Sequence, residues 1–147
     1  MAKCSEVMTR EPASCEAGEA LTRAAAIMKN QDVGSVPVVQ SRQDPRLIGI
    51  VTDRDIVVKV LADGADVGRA TVRDAMTVNP ASCKEDDEVS RAFDTMSSRQ
   101  VRRMPVVDAE GRLVGIIAQA DVATRMKQDD TTAELVEAIS EPRTVRR

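Results

Sequence analysis

Two stretches set the rhythm of apolar and polar positions. RLIGIVTDRDI (46–56) and RLVGIIAQADV (112–122) each run from a short β-branched stretch through a polar turn into apolar residues at helical spacing. The first predicts a strand over 47–51 and a helix over 53–62 stopped near Gly64, and the second a strand over 113–117 and a helix over 119–126. Upstream of the first, the pattern gives a short strand over 13–15, a helix over 19–30 with Leu21, Ala25 and Met28 in phase, a strand over 35–39 and a loop over 40–45. Upstream of the second it gives a strand over 81–83, a helix over 87–98, a strand over 103–107 and a turn over 108–111. Pro37 cannot donate to a ladder, so it is placed at an edge or a bulge. The linker 65–80 carries a helical turn over 72–76. TTAE at 131–134 has capping-box spacing and opens a last helix with Leu135, Val136 and Ile139 on one face, ended by Pro142.

The two halves are copies. A shift of 68 lays VMTREPASC on AMTVNPASC and VGSVPVV on VRRMPVV, and thirteen of the 33 residues from Val7 to Val39 are identical to their partners. Two extra residues within 41–45 change the shift to 66 and align the two opening stretches. The chain therefore divides into 1–67, a first repeat with its N-terminal segment, 68–128, a second repeat, and 129–147, a C-terminal helix and tail. A βαββα unit presents a three-stranded sheet that cannot cover itself. The expected fold is α+β: two such repeats, sheet against sheet about a pseudo-twofold axis, leaving two related clefts.

Composition narrows the chemistry. One Phe, no Trp and no Tyr mean that a pocket for a flat ring is built from aliphatic side chains and backbone. A net charge of -3, with Lys and Arg interspersed among acids, lacks the basic face of a nucleic-acid module. With no histidine there is no Ser-His triad or imidazole zinc site, and the acids fall into no hydrolase or transferase pattern, so neither metal nor catalysis is expected. Three cysteines without a C-x-x-C pair, no secretory leader and no apolar run of membrane-spanning length point to a cytoplasmic protein. Cys15 and Cys83 occupy the same place in the two copies, as small buried fillers rather than a disulfide or metal pair.

The polar turns carry the chemistry. In the first, Thr52 stands at the strand-to-helix junction and Asp55 three residues later. A hydroxyl and a carboxylate there suit a sugar diol, since an ionised carboxylate accepts two O–H bonds. T-x-x-D is equally a capping pattern, in which Thr52 and Asp55 satisfy backbone amides of the first turn. In the second turn Ala118 has lost the hydroxyl while Asp121 remains.

Paired units that join a V-x-x-h-P-V-V strand to a G-I-h-x-x-x-D turn resemble tandem cystathionine-β-synthase (CBS) domains, the two-copy Bateman module, over about residues 7–126. TDRDI followed by VVKVLADGAD is similar to small stand-alone bacterial CBS-pair proteins. The resemblance implies regulatory binding of an adenosine-containing ligand such as AMP, ADP, ATP or S-adenosylmethionine, and a homodimer in the form of a flat disc. It places the ribose contacts on Thr52 and Asp55, and on Ala118 and Asp121 in the second copy. The adenine wall falls on Ala13, Ser14, Val33, Gly34, Ser35 and Val36, and again on Ala81, Ser82, Val101, Arg102, Arg103 and Met104. Backbone amides of such segments can read an adenine edge, and Arg102 and Arg103 suit phosphate by their fork geometry, or form a solvated positive edge. The alternative from another class is a ligand-free dimerisation scaffold whose turn residues only cap helices.

Overall fold

The computed structural model describes residues 1–140, with side chains as far as Asp130. The first repeat runs through β2 (Cys15–Glu16), α2 (Leu21–Gln31), β3 (Ser35–Val39), β4 (Leu47–Thr52) and α3 (Asp53–Asp55), which continues as a π-helical turn over Ile56–Leu61. The second runs through β6 (Cys83–Lys84), α5 (Val89–Arg99), β7 (Arg103–Val107), β8 (Leu113–Ala118) and α6 (Gln119–Ser140). Each repeat is led in by a short helix and strand, α1 (Cys4–Val7) with β1 (Thr9–Arg10), and α4 (Val72–Ala75) with β5 (Thr77–Val78).

These leading segments are exchanged. β1 pairs antiparallel with β8 of the second repeat, and β5 with β4 of the first, so each sheet has four strands rather than three, in the orders β1-β8-β7-β6 and β2-β3-β4-β5. Ala2, Cys4 and Met8 are buried in the second repeat's core, beside Met96, Met104 and Ile117. Ala70, Val72 and Ala75 complete the first core, beside Leu21, Val36, Val38 and Val51. The N-terminal segment thus precedes the first repeat in sequence and belongs to the second in space. Backbone bonds repeat the exchange: Cys4 N donates to Asp87 O at 2.8 Å, and its counterpart Val72 N to Glu19 O at 2.9 Å. Each fully buried Val or Leu in these cores contributes on the order of 1.5–3 kcal/mol.

The pseudo-twofold axis is visible at one point. Leu47 N donates to Gly111 O at 3.0 Å, Leu113 N to Pro45 O at 2.9 Å, and Arg46 is bridged to Arg112. The 66-residue shift exchanges these two bonds, so the axis passes between the two arginines.

Two expectations are revised. Pro37 lies in an interior strand, tolerated because β2 covers only Val38 and Val39, with a register shift between them. The helix expected to close at 126 and the one expected to open at 131 are a single helix, α6, through Ser140, so TTAE falls mid-helix. Nothing between the two helical patterns breaks the helix: 127–130 is KQDD, without Gly or Pro. Pro142 lies outside the described residues.

Candidate functional site

Helices α2 and α5 both end on a left-handed residue, Asp32 (φ 53°) and Gln100 (φ 55°). That turn is the αL helix stop, and it directs the chain at once into β3 and β7. Residues 33–35 and 101–103 stand at equivalent places in the two repeats, each bending at its central residue, Gly34 or Arg102, before the strand begins. Each is tied to the helix start beside it: Asp53 N donates to Gly34 O at 3.0 Å, and Gln119 N to Arg102 O at 2.8 Å. Where two related clefts are expected from sequence, residues of both expected walls line one cavity of about 1190 Å³, shared by the two repeats. That is ample for a ligand of nucleotide size.

From the first repeat the cavity takes Asp32 to Ser35, Ile50 and Thr52 to Arg54; from the second it takes Pro80, Ala81, Phe93, Gln100 to Arg103, Ala118 to Ala120 and Ala123. Its charges are three arginines, Arg54, Arg102 and Arg103, against two aspartates, Asp32 and Asp53. The arginines are exposed and none has an ion-pair partner among the described residues. The cavity therefore carries an excess of positive charge within a chain of net charge -3, with planar donor forks available to an anion. Apolar surface comes from Val33, Val101, Ile50 and the half-buried ring of Phe93.

Of the residues singled out from sequence, Val33, Ser35, Thr52, Arg102 and Arg103 line this cavity, as do Gly34, Ala81, Val101 and Ala118. Asp55 does not. Its amide donates to Thr52 Oγ1 at 3.0 Å, and its Oδ2 accepts from Thr52 N at 3.0 Å, a complete capping box. The same carboxylate lies 3.3 Å from Lys59 Nζ and accepts from the Thr77 hydroxyl at 3.4 Å. Of the two meanings of T-x-x-D, the geometry is that of the cap. Thr52 still serves both sides, because its oxygen accepts within the box while its O–H remains able to donate into the cavity.

Val36 and Met104, placed on the ligand wall by the resemblance, are buried in the two cores. Strand alternation is the reason: 35 and 103 face the cavity, so 36 and 104 face inward. Ser14 lies outside the cavity lining, Ser82 lines a separate smaller pocket, and Asp121 is an exposed first-turn acid of α6. Sequence reasoning missed Asp53, Arg54, Gln119 and Phe93. The signal for Phe93 was present: it is the chain's one aromatic residue, set where the first repeat has Ala25. That corrects the expectation of a ring pocket free of aromatic side chains.

A family model described as the CBS domain matches residues 4–62 and 72–128. The chain belongs to the CBS-domain family. It is a CBS-pair regulatory module, with the α+β fold of that family. Hypoxic response protein 1 of Mycobacterium tuberculosis is 37% identical over 124 residues, 84% of each chain. A crystal structure of that protein, with two coordinated zinc ions, matches 84% of this chain and 98% of that one at 34% identity and a TM-score of 0.75. The CBS domain pair of protein MJ0100, solved with 5-methylthioadenosine and S-adenosyl-L-methionine, is 26% identical, with a TM-score of 0.73 over 88% of this chain and 98% of that one. An uncharacterised protein of Methanopyrus kandleri is 34% identical over 117 residues, and the CBS pair spans 59% of its length. No helix among the described residues is long and apolar enough to cross a membrane.

Proposed function

We propose that this CBS pair is a non-catalytic cytoplasmic sensor whose inter-repeat cavity binds an adenosine-containing ligand, with AMP, ADP or ATP favoured over S-adenosylmethionine. The observation that carries this reading is the meeting, in one cavity, of the main-chain segments 33–35 and 101–103, the Phe93 ring and three arginines with no ion-pair partner among the described residues. The base lies against Phe93 and the Val33 and Val101 side chains, its edge met by main-chain groups of 33–35 and 101–103. The Asp53 carboxylate accepts from the Arg54 amide at 2.8 Å through Oδ1 and has no other acceptor contact among the described residues, so its remaining lone pairs take the sugar hydroxyls in place of Asp55. Arg54, Arg102 and Arg103 take phosphate, which is why a phosphorylated adenosine is favoured over a sulfonium.

MJ0100 supports the adenosine class, since its CBS pair holds two adenosine derivatives. Zinc is not carried over from the hypoxic response protein: the chain has no histidine, and among the described residues no three Cys, Asp or Glu side chains converge. Because both repeats line the cavity, a ligand bound there favours the arrangement of the repeats that fits it best, by its differential affinity.

A second copy of the chain supplies the readout. Val57, Val58 and Leu61 on the π-helical turn are about half exposed, together with Val78, an apolar strip suited to a dimer contact. The same strip supports the rival reading, a constitutive scaffold without ligand. Calorimetric titration with AMP, ADP, ATP and S-adenosylmethionine, with GMP as control, separates the two. A ligand at a hundred times its Kd adds about 2.7 kcal/mol, a rise in Tm of about 5–10 °C for a chain of this size. Absence of heat and of any Tm rise across the panel leaves the scaffold.

A further inference from the structure

The loop between β3 and β4 completes a cluster of charges on the first repeat. Glu16 N donates to Glu19 Oε2 at 2.8 Å, and the loop adds Arg42, whose amide donates to Glu16 Oε2 and whose guanidinium donates to Glu19 Oε1, each at 2.9 Å. Arg23 reaches the same Glu19 oxygen at 3.2 Å. Two acids and two arginines make a neutral set in which every charge has a partner.

The 68-residue shift carries Glu16, Glu19 and Arg23 onto Lys84, Asp87 and Arg91. One bond is kept, Lys84 N donating to Asp87 Oδ2 at 2.9 Å. The others are not. The second repeat's turn is two residues shorter and closes on itself, with Asp108 Oδ1 accepting from Glu110 N and Arg112 N at 2.9 Å, and among the described residues it sends no hydrogen bond to Lys84 or Asp87. A pocket of about 310 Å³ stands there instead, lined by Lys84, Asp87, Arg91 and Thr95, with the buried Cys83 and Ala92 on its apolar side. The Lys84 ammonium, the Arg91 guanidinium and Asp87 Oδ1 have no hydrogen bond or ion pair among the described residues. Thr95 replaces Ile27, which packs against the first core, so a hydroxyl is added as well. Its O–H donates to Arg91 O at 3.1 Å, which leaves the oxygen able to accept.

The charge balance says what belongs in the pocket. Without Arg42 the first set is two acids against one arginine, a net negative charge that the chain neutralises from its own loop. The second set is two cations against one acid, a net positive charge that the chain leaves open. We propose that this pocket binds a small 2-hydroxycarboxylate, of the glycolate and lactate class. The carboxylate lies between the Lys84 ammonium and the Arg91 guanidinium, where charge-assisted bonds are strong. The hydroxyl beside it donates to Asp87 Oδ1, which would otherwise face an anion with nothing between them. A phosphate dianion exceeds the single positive charge and meets the Asp87 carboxylate directly, so it is disfavoured. The pocket shares no lining residue with the inter-repeat cavity, and the proposal stands whether or not that cavity takes a nucleotide.

The test is backbone amide NMR of the full chain, titrated at constant ionic strength with sodium glycolate and sodium L-lactate, and with acetate, phosphate and chloride for comparison. Saturable shifts should gather at Lys84, Asp87, Arg91 and Thr95 with both hydroxy acids. Acetate, which lacks the donor for Asp87, should bind about tenfold more weakly, the worth of one hydrogen bond to a charged group. Lys84→Glu, which copies Glu16 at an exposed position, should weaken lactate by more than about tenfold and make the pocket take millimolar methylguanidinium instead, as Arg42 is taken in the first repeat. Four results would overturn the proposal: no saturable shift with either hydroxy acid, equal shifts with chloride, acetate or phosphate binding as tightly as lactate, or undiminished lactate binding in Lys84→Glu. The wild-type titrations decide even if the variant misfolds.

Discussion

Replacing Asp55 with Ala removes a carboxylate that does three things at once: it accepts from Thr52 N at 3.0 Å, faces Lys59 Nζ at 3.3 Å and accepts from the Thr77 hydroxyl on β5. Loss of a capping interaction costs about 1 kcal/mol. The Lys59 pair is partly screened, with the two side chains 41% and 15% exposed, and adds about 0.5 kcal/mol. The sum is about 1–2 kcal/mol, and at about 2–4 °C per kcal/mol for a chain of this size the Tm falls by about 2–8 °C. Melting followed by circular dichroism, with and without saturating AMP, reads both quantities. The ligand-free midpoint should drop while the rise caused by AMP stays within error of wild type, and Asp55→Asn, which keeps an acceptor for the Thr52 amide, should recover part of the loss. An unchanged ligand-free midpoint with the AMP response abolished would refute the reasoning, because it would make the carboxylate a ligand group rather than a cap.

Three further outcomes are expected. A Cβ on Gly49 would stand 2.8 Å from Thr77 O and 3.3 Å from Met76 Sδ, so Gly49→Ala should cost about 1–3 kcal/mol by displacing β5; an unshifted urea midpoint would deny the β4–β5 pairing. Leu61→Glu places a charge in the exposed apolar strip; if that strip forms the proposed dimer contact, light scattering should show about half the wild-type mass, whereas equal masses for variant and wild type would remove the strip from the interface. Burial alone would raise the Glu19 carboxyl, but the Glu16 amide and the Arg42 and Arg23 guanidinium groups outweigh it and hold it below 4.5. Its contribution is therefore complete above the unfolded value and is lost as pH falls through the lower, folded one. Stability measured by urea titration should decline less steeply below pH 4.5 in Glu19→Gln than in wild type, and identical profiles would contradict the shift.

Much of the fold could be read from the sequence because the same instructions are written twice. The helical phase of Leu21 and Met28, and the β-branched runs at 47–51 and 113–117, reappear as α2, β4 and β8. The exchange could not be read, because a short apolar lead such as Ala2, Cys4 and Met8 specifies that it is buried but not in which of two similar cores. Nor could the join of two helical patterns into α6, since a T-x-x-E spacing is as compatible with a helix interior as with its start. At the site, the junctions at 33–35 and 101–103 were legible from the repeated V-x-x-h-P-V-V motif, but which alternate residues face outward was not. The resemblance supplied a continuous wall, and strand alternation removed Val36 and Met104 from it. Asp55 shows the limit of a motif most directly: four residues specify both a sugar contact and a cap, and only the position of Lys59 and Thr77 distinguishes them.

The central claim is that one cavity, shared by the two repeats, receives the adenosine ligand. Backbone amide NMR of the full chain during titration with AMP tests it residue by residue. The account predicts saturable shifts on both lips together, at Val33 to Ser35, Asp53 and Arg54 on one side and Val101 to Arg103, Gln119 and Ala120 on the other, with weaker binding in Arg102→Ala/Arg103→Ala. Shifts confined to one lip, shifts centred on Cys83, Asp87 and Arg91 in the smaller pocket, or no shifts at saturating AMP would contradict it.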